Sequence, residues 1–250
     1  MRLANGSRSP LWASVFGIIS LTTAEAVEQS HFDGQAIVEC LALQGIRARS
    51  VVEVPALPGM YEVDAGGGDY LYVAQGCRHL IAGNLYETQS DHQLVALTER
   101  TRSAKRRRII AAIPDSEMLV FEPSEARRAS VVVFTDVNCG LCRTFHERIA
   151  EYHRFGIEIR YVAYPNPGLG SSTFQAMVSA WCADDPLSAI TTLKNGHEIP
   201  SMKCASPVES HFRLGEEIGI QGTPSIVLPS GRMLSGFLLP RQLADALGLD

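Results

Sequence analysis

The chain has 250 residues, 46% of them apolar and 20% charged, with a formal net charge of −5 at pH 7 and a mean hydropathy of +0.04. This composition excludes a disordered acidic tail, and Gly 21 and Pro 13 lie far below collagen-like or low-complexity levels. The negative balance speaks against a nucleic-acid partner, and no apolar run reaches the ~18 residues a membrane span needs. The N-terminus reads as a leader: basic Arg2 and Arg8 precede a mostly apolar run from Leu11 to Leu21, and Ala24-Glu25-Ala26 has the small-x-small pattern of a cleavage site. Residues 1–26 are therefore expected to be a signal peptide, with the remainder exported to an oxidising compartment where disulfides persist.

Residues 27–90 open on an amphipathic segment, with Phe32, Ile37, Val38, Leu41 and Leu43 near helical spacing before Gly45 stops it. β-like runs follow at Arg49 to Val54, Met60 to Val63, Tyr70 to Val73 and His79 to Ala82. Pro55, Pro58-Gly59, Gly66-Gly67-Gly68 and Gln75-Gly76 break them with turn chemistry. One helix on a small antiparallel sheet of ~60 residues is a marginal core, and such a module gains stability by pairing with a copy of itself. From Asp91 to Ile113 there is no strand signal. Leu94, Leu97, Arg102 and the run Lys105 to Arg108 sit among good helix formers up to Pro114, which predicts a linker helix with the basic run on its solvated face.

Residues 114–250 alternate strand and helix. Strands are expected at Met118 to Phe121, Ser130 to Thr135 and Ile157 to Tyr164. A helix should run from about Cys139 to Phe155, where Phe145, Ile149 and Tyr152 share a face and Gly156 ends it. Ser171 to Ala183 reads as another helix, and Pro186 to about His211 as looser helical pieces. Ser225 to Leu228 and Arg232 to Ser235 form a hairpin across Pro229-Ser230-Gly231, and Pro240 to Leu247 closes the chain as a helix. No internal repeat is visible. This is the element order of a thioredoxin-like domain with a helical insertion at about 171–213.

The chemistry concentrates in Cys139-Gly140-Leu141-Cys142, which follows a strand and opens a helix. Two thiols on a helix's first turn can close a small-ring disulfide. The unpaired N–H groups of that turn favour negative charge, so the thiolate of the first cysteine is stabilised. The thiolate is the attacking species in disulfide exchange, and the second cysteine is placed to resolve a mixed disulfide rather than to start one. A structural zinc site would need a second close pair, which Cys182 and Cys204 do not supply. CxxCH haem attachment fails because Arg143 follows Cys142. Some 80 residues downstream, Gly222-Thr223-Pro224 precedes a strand. Alone it is a turn, more often trans than cis. With CxxC upstream, a cis bond there would leave the Thr223 backbone N–H and C=O free to dock an extended substrate.

Phe134-Thr135-Asp136-x-x-Cys139-Gly140-x-Cys142, together with Gly222-Thr223-Pro224, resembles the DsbC/DsbG family of periplasmic protein disulfide isomerases. Pro58-Gly59-Met60-Tyr61-Glu62-Val63 and Tyr70-Leu71-Tyr72-Val73 extend the likeness through nearly the whole mature chain. The resemblance implies a small α+β, cystatin-like N-terminal dimerisation domain (27–90), a linker helix (91–113) and a C-terminal thioredoxin-like α/β domain (114–250) in a V-shaped homodimer. It implies Cys139 as nucleophile, Cys142 as its partner, Thr223-Pro224 as the substrate-binding loop, and Cys182–Cys204 as a non-catalytic disulfide. Closing that loop is worth about 3 kcal/mol by chain entropy. No metal and no cofactor are expected. The implied partners are misoxidised exported proteins as substrates and a DsbD-like membrane reductant that keeps Cys139 reduced.

The chain departs from better-known members at Leu141 and Asn138, where the isomerase often carries tyrosine and has threonine, so the redox poise does not carry over. Val133 stands where thioredoxin has a buried acid, Asp136 reads as a turn residue, and His146 as a solvated helix-face histidine. Cys40 and Cys77 could pair with each other, link two protomers or stay reduced. The competing readings of function are a DsbG-like reductase of oxidised single cysteines, a DsbA-like disulfide donor, and a chaperone or assembly factor in which the thiols are secondary.

Overall fold

The structure, a computed structural model, describes residues 34–249. The expected signal peptide and Phe32 lie outside the described residues. Helix α1 (Gly34–Leu43) packs Ile37 and Leu41 onto Tyr61, Val63 and Val73 of a sheet made of β1 (Ser50–Glu53), β2 (Met60–Gly66), β3 (Asp69–Ala74) and β4 (Leu80–Ala82). All three pairings are antiparallel, in the order β1-β2-β3-β4. Alternation puts Tyr61 and Val63 on the helix side, as the period-2 geometry of a strand requires. A disulfide joins Cys40 on α1 to Cys77 in the β3–β4 turn, which selects the first of the three expected options.

The segment expected to be helical from residue 91 begins differently. Gln89 to Gln93 form a turn with His92 at φ 64°, and β6 (Leu94–Ala96) pairs antiparallel with β5 (Tyr86–Thr88). β-Branched Val95 and a local partner strand outweigh the weak helical preference of these three residues. Helix α2 then runs Leu97–Ala111. Its basic run is not a uniformly solvated face. Lys105 Nζ bonds Asp64 Oδ2 at 2.6 Å, and Arg106 is buried with Nη1 on Glu99 Oε1 at 2.7 Å. A charged side chain enters the interior here because a carboxylate meets it.

After a 3₁₀ turn (Asp115–Glu117), five strands form the second sheet: β7 (Leu119–Phe121), β8 (Ala129–Thr135), β9 (Ile157–Ala163), β10 (Ser225–Val227) and β11 (Met233–Ser235), ordered β11-β10-β8-β9-β7. Only β8–β9 is parallel; the connection between them carries α3 (Gly140–Glu147) and α4 (Ile149–Arg154). The single helix expected over 139–155 breaks at Arg148 (φ −102°, ψ 13°), and across the break the rings of Phe145 and Tyr152 stack at 4.4 Å.

The central strands β8 and β9 are almost continuously buried because both faces are covered, and the two charges on β9, Glu158 and Arg160, pair with each other. One side packs Val131, Val133, Ile159 and Tyr161 against Phe145, Met177 and Ile190. The other packs Val132, Phe134 and Val162 against Ile113, Ile218 and Ile220. Helices α5 (Ser172–Trp181) and α6 (Pro186–Lys194) start from the side-chain caps of Ser171 and Asp185. The looser pieces expected up to residue 211 resolve into α6 and a regular α7 (Val208–Ile218), which ends on left-handed Gly219. Cys182 and Cys204 are disulfide-bonded and close the segment between α5 and α7. Helix α8 (Pro240–Ala246) completes the fold.

Candidate active site

Strand β8 ends at Thr135 and delivers the chain through Asp136, Val137 and Asn138 to Cys139, the N-cap of α3. The loop is fastened from inside. The buried Asp136 carboxylate accepts the Asn138 N–H at 2.6 Å and, across the sheet edge, the Asn166 N–H at 2.7 Å. Asp136 is thus the expected turn residue and also a tie between two loops. Arg143 adds a second brace, with Nε on the Val137 carbonyl at 2.9 Å and Nη2 on Asn138 Oδ1 at 3.2 Å.

Cys139 and Cys142 are both free, Cys139 partly exposed and Cys142 buried. The Cys139 sulfur accepts the Cys142 N–H at 3.4 Å, and its thiol donates to the Thr223 carbonyl at 3.2 Å. Thr223–Pro224 is cis, and Asn166 Nδ2 donates to Thr223 Oγ1 at 2.6 Å. CxxC and Thr223-Pro224 are therefore together, as their order in the chain led one to expect. The Thr223 carbonyl is not free, however, because the nearest donor is the neighbouring thiol itself. Burial pushes the Cys139 thiol up, but hydrogen bonding from the side chains of Thr223 and Cys142 and from the Cys142 and Leu141 N–H groups outweighs it, so the group lies below the ordinary thiol value. Burial pushes the Cys142 thiol up to about 11, although Lys194 pulls the other way. One sulfur is partly exposed and ionises more readily than an ordinary thiol; the other is buried and ionises less readily.

His146 is buried rather than solvated. Its Nδ1 accepts from the Tyr161 hydroxyl and its Nε2 donates to Thr191 Oγ1, both at 3.1 Å, and Thr191 passes its own proton to the Leu187 carbonyl at 2.7 Å. These bonds suit a neutral imidazole, and no carboxylate partner is among them to favour the charged form. Burial first, then Lys194, lowers its pKa to about 4. Burial does the same to His211, whose Nδ1 accepts the Ala163 N–H at 3.3 Å. Both values lie below the unfolded 6.5, so the unfolded chain binds more protons between pH 6.5 and 4. Stability is then full above pH 6.5 and falls as pH drops toward 4, by roughly 2–3 kcal/mol for each histidine. Urea midpoints measured from pH 7.5 to 4.5 should decline in that window, and His146→Gln should flatten part of the slope.

Asn166 and Lys194 carry no motif and were not expected at the site. Lys194 could have been noticed as the lone charge four residues beyond Ile190, on the buried face of α6.

A parallel β8–β9 core, cysteines at the start of α3 and a cis-proline loop beside them define a thioredoxin-like domain, and the family model described as a thioredoxin-like domain matches residues 116–249. A second model, the N-terminal domain of disulfide bond isomerase proteins, matches residues 25–99. The chain belongs to the DsbC family of thiol:disulfide interchange proteins. It is 30% identical over 215 residues to the thiol:disulfide interchange protein DsbC of Escherichia coli K12, covering 86% of this chain and 87% of that protein. It is 31% identical over 228 residues to that of Salmonella typhimurium (91% and 92% covered), and 33% identical over 181 residues to that of Haemophilus influenzae (71% and 74%). A solved disulfide interchange protein from Neisseria gonorrhoeae aligns with a TM-score of 0.47 at 25% identity, over 54% of this chain and 96% of that one.

Proposed function

We propose that this protein rearranges incorrect disulfides in exported proteins, with Cys139 as nucleophile, Cys142 as resolving thiol and Thr223-Pro224 as the substrate platform. The reading is carried by the Cys139 sulfur. It is accessible, caps α3, touches the cis-proline loop, and its pKa lies below that of an ordinary thiol while its neighbour's lies above. The Cys139 thiolate attacks one sulfur of a wrong disulfide; that bond breaks and its other sulfur leaves as a thiolate, giving a mixed disulfide. When a substrate thiolate attacks the substrate sulfur of the mixed disulfide, Cys139 leaves as thiolate and a new substrate disulfide remains, with no net oxidation. When Cys142 attacks Cys139 instead, the substrate leaves reduced and the pair is oxidised. The second route requires a reductant, for which a DsbD-like membrane protein in the periplasm is the proposed source.

The homodimer fits the same reading. Val52, Leu80, Ile81, Tyr86 and Leu94 are large apolar side chains left exposed on β1, β4, β5 and β6. A second copy of residues 27–90 would cover such surface. Residues 114–250 alone should then be monomeric and active on disulfides but poor at shuffling them.

The test is refolding of a scrambled multi-disulfide protein with catalytic amounts of reduced protein. Native pairing should return well above the rate of glutathione buffer. Reduction of single oxidised cysteines without shuffling would support the reductase instead, and suppression of aggregation alone would support the chaperone.

A further inference from the structure

Lys194 is the last residue of α6, and only 2% of it is exposed. Its Nζ donates to Thr135 Oγ1 at 2.8 Å and to the Asp136 carbonyl at 3.4 Å, and lies 5.1 Å from the centre of the Tyr161 ring. No carboxylate of the described residues is in ion-pair contact with it. A buried ammonium held only by a hydroxyl, a peptide carbonyl and an aromatic face keeps much of its desolvation cost uncompensated. Thr135 and Asp136 are the residues from which the chain turns into the CxxC loop, and the Cys142 sulfur is itself hydrogen-bonded to the Asp136 backbone. Ammonium and resolving sulfur thus share one stretch of backbone in the protein interior.

We propose that Lys194 is a positioning residue for disulfide exchange, its fixed positive charge serving as counter-ion to the sulfur anions of the CxxC pair and above all to that of Cys142. The inference rests on the assignment of Cys139 and Cys142 as the exchanging pair. In the resolving step the Cys142 S–H loses its proton and its sulfur electron pair forms the bond to Cys139. The bond from Cys139 to the substrate breaks, and its electrons leave on the substrate sulfur, which takes up one proton. The enzyme pair is oxidised by two electrons and the substrate disulfide is reduced by two. Lys194 exchanges no proton in that balance; it lowers the energy of the anion through which the step passes.

The groups facing the ammonium support this role. From the β8–α3 segment come Asp136, Cys139, Cys142, Arg143 and His146, and from β9 comes Tyr161. Helix α5 and strand β7, also packed on α6, bring no titratable side chain. Burial lowers Lys194 to about 8, while Cys142, Asp136 and Cys139 favour its charged form and Arg143 opposes it. The missing counter-charge is therefore one that appears on reduction and disappears when the disulfide closes. Lys194 should favour the reduced pair and make the disulfide more oxidising.

Lys194→Gln keeps a hydrogen-bond donor for Thr135 and removes the charge; Lys194→Met removes both. Starting from Cys139 capped with glutathione, both variants should resolve to the internal disulfide about threefold more slowly, the net of a tenfold smaller thiolate fraction for one pKa unit at Cys142 and the higher nucleophilicity of a more basic sulfur. Their equilibrium with glutathione should move several-fold toward the disulfide. A folded Lys194→Gln protein with unchanged resolution rate and equilibrium overturns the proposal. Should both variants unfold, the unaltered protein decides: by NMR of its side-chain carbon, Lys194 must titrate at higher pH with the pair reduced than oxidised, and identical titrations overturn the proposal. An unaltered protein whose Cys139 and Cys142 never equilibrate with glutathione refutes the pair's assignment, and this inference falls with it.

Discussion

Cys139→Ser should bring shuffling of a scrambled substrate down to the rate of the redox buffer alone, a loss of at least ~10³-fold, on the scale seen when a covalent nucleophile is removed. Serine reproduces the size of the side chain and its hydrogen bond to the Thr223 carbonyl, so the loop should stay folded. What it cannot reproduce is a readily formed anion, because the N-terminal field of α3 and the bonds from Thr223, Cys142 and Leu141 lower the pKa of a thiol, whereas an alcohol starts far above it. Cys142→Ser has the complementary outcome. Attack by Cys139 survives, resolution does not, and mixed disulfides with substrate accumulate on non-reducing gels while part of the shuffling persists. Equal shuffling by the Cys139→Ser protein and the parent would exclude exchange chemistry at this site.

Among the glycines of the described residues, Gly231→Ala should be the most damaging change. Gly231 sits at φ +84° in the turn between β10 and β11, and a Cβ there would stand 1.9 Å from the backbone oxygen of Ser103 in α2. Backbone cannot rotate out of the way as a side chain can, so α2 or the hairpin must move. The left-handed conformation adds its own strain for any residue with a Cβ. A destabilisation above about 3 kcal/mol is expected, in the range reserved for named structural faults. Gly236→Ala is the control. It has nearly the same φ, +85°, but nothing within 4 Å, so it should cost only about 1 kcal/mol. Guanidinium unfolding of the two proteins separates steric overlap from backbone strain, and equal midpoints would show that α2 does not rest on this turn.

Much of the fold was legible because its signals are local. Period-2 alternation marks β2 and β3, Ile157, Ile159 and Tyr161 recurring at every second position after Gly156 mark β9, and Cys139-Gly140-Leu141-Cys142 after a strand announces the start of α3. The hairpin β5–β6 was not legible, since three residues such as Leu94-Val95-Ala96 become strand only through a partner with an equally faint pattern. The interior polar side chains escaped for a related reason. His146, Lys105 and Arg106 look like surface residues on a helix; His146 and Lys105 are drawn inside by groups distant in sequence, Tyr161 with Thr191 and Asp64, and Arg106 by Glu99 seven positions earlier on α2. At the site, the cysteines and Thr223-Pro224 are marked by spacing and order. Asn166 and Lys194 are marked by nothing except where the folded chain carries them.

The described residues hold three pairs of sulfur atoms, two closed across 37 and 22 positions and one open across three. Native packing presses the long-range partners together, so a thiol reagent that opens either bridge first forms a mixed disulfide with one cysteine, and the other, held beside it, can attack back and expel the reagent. The open pair differs in access, with one sulfur at the rim and its neighbour sunk beneath it. Two sulfur pairs thus brace the described chain and one is left open at a surface, a sorting made by architecture alone.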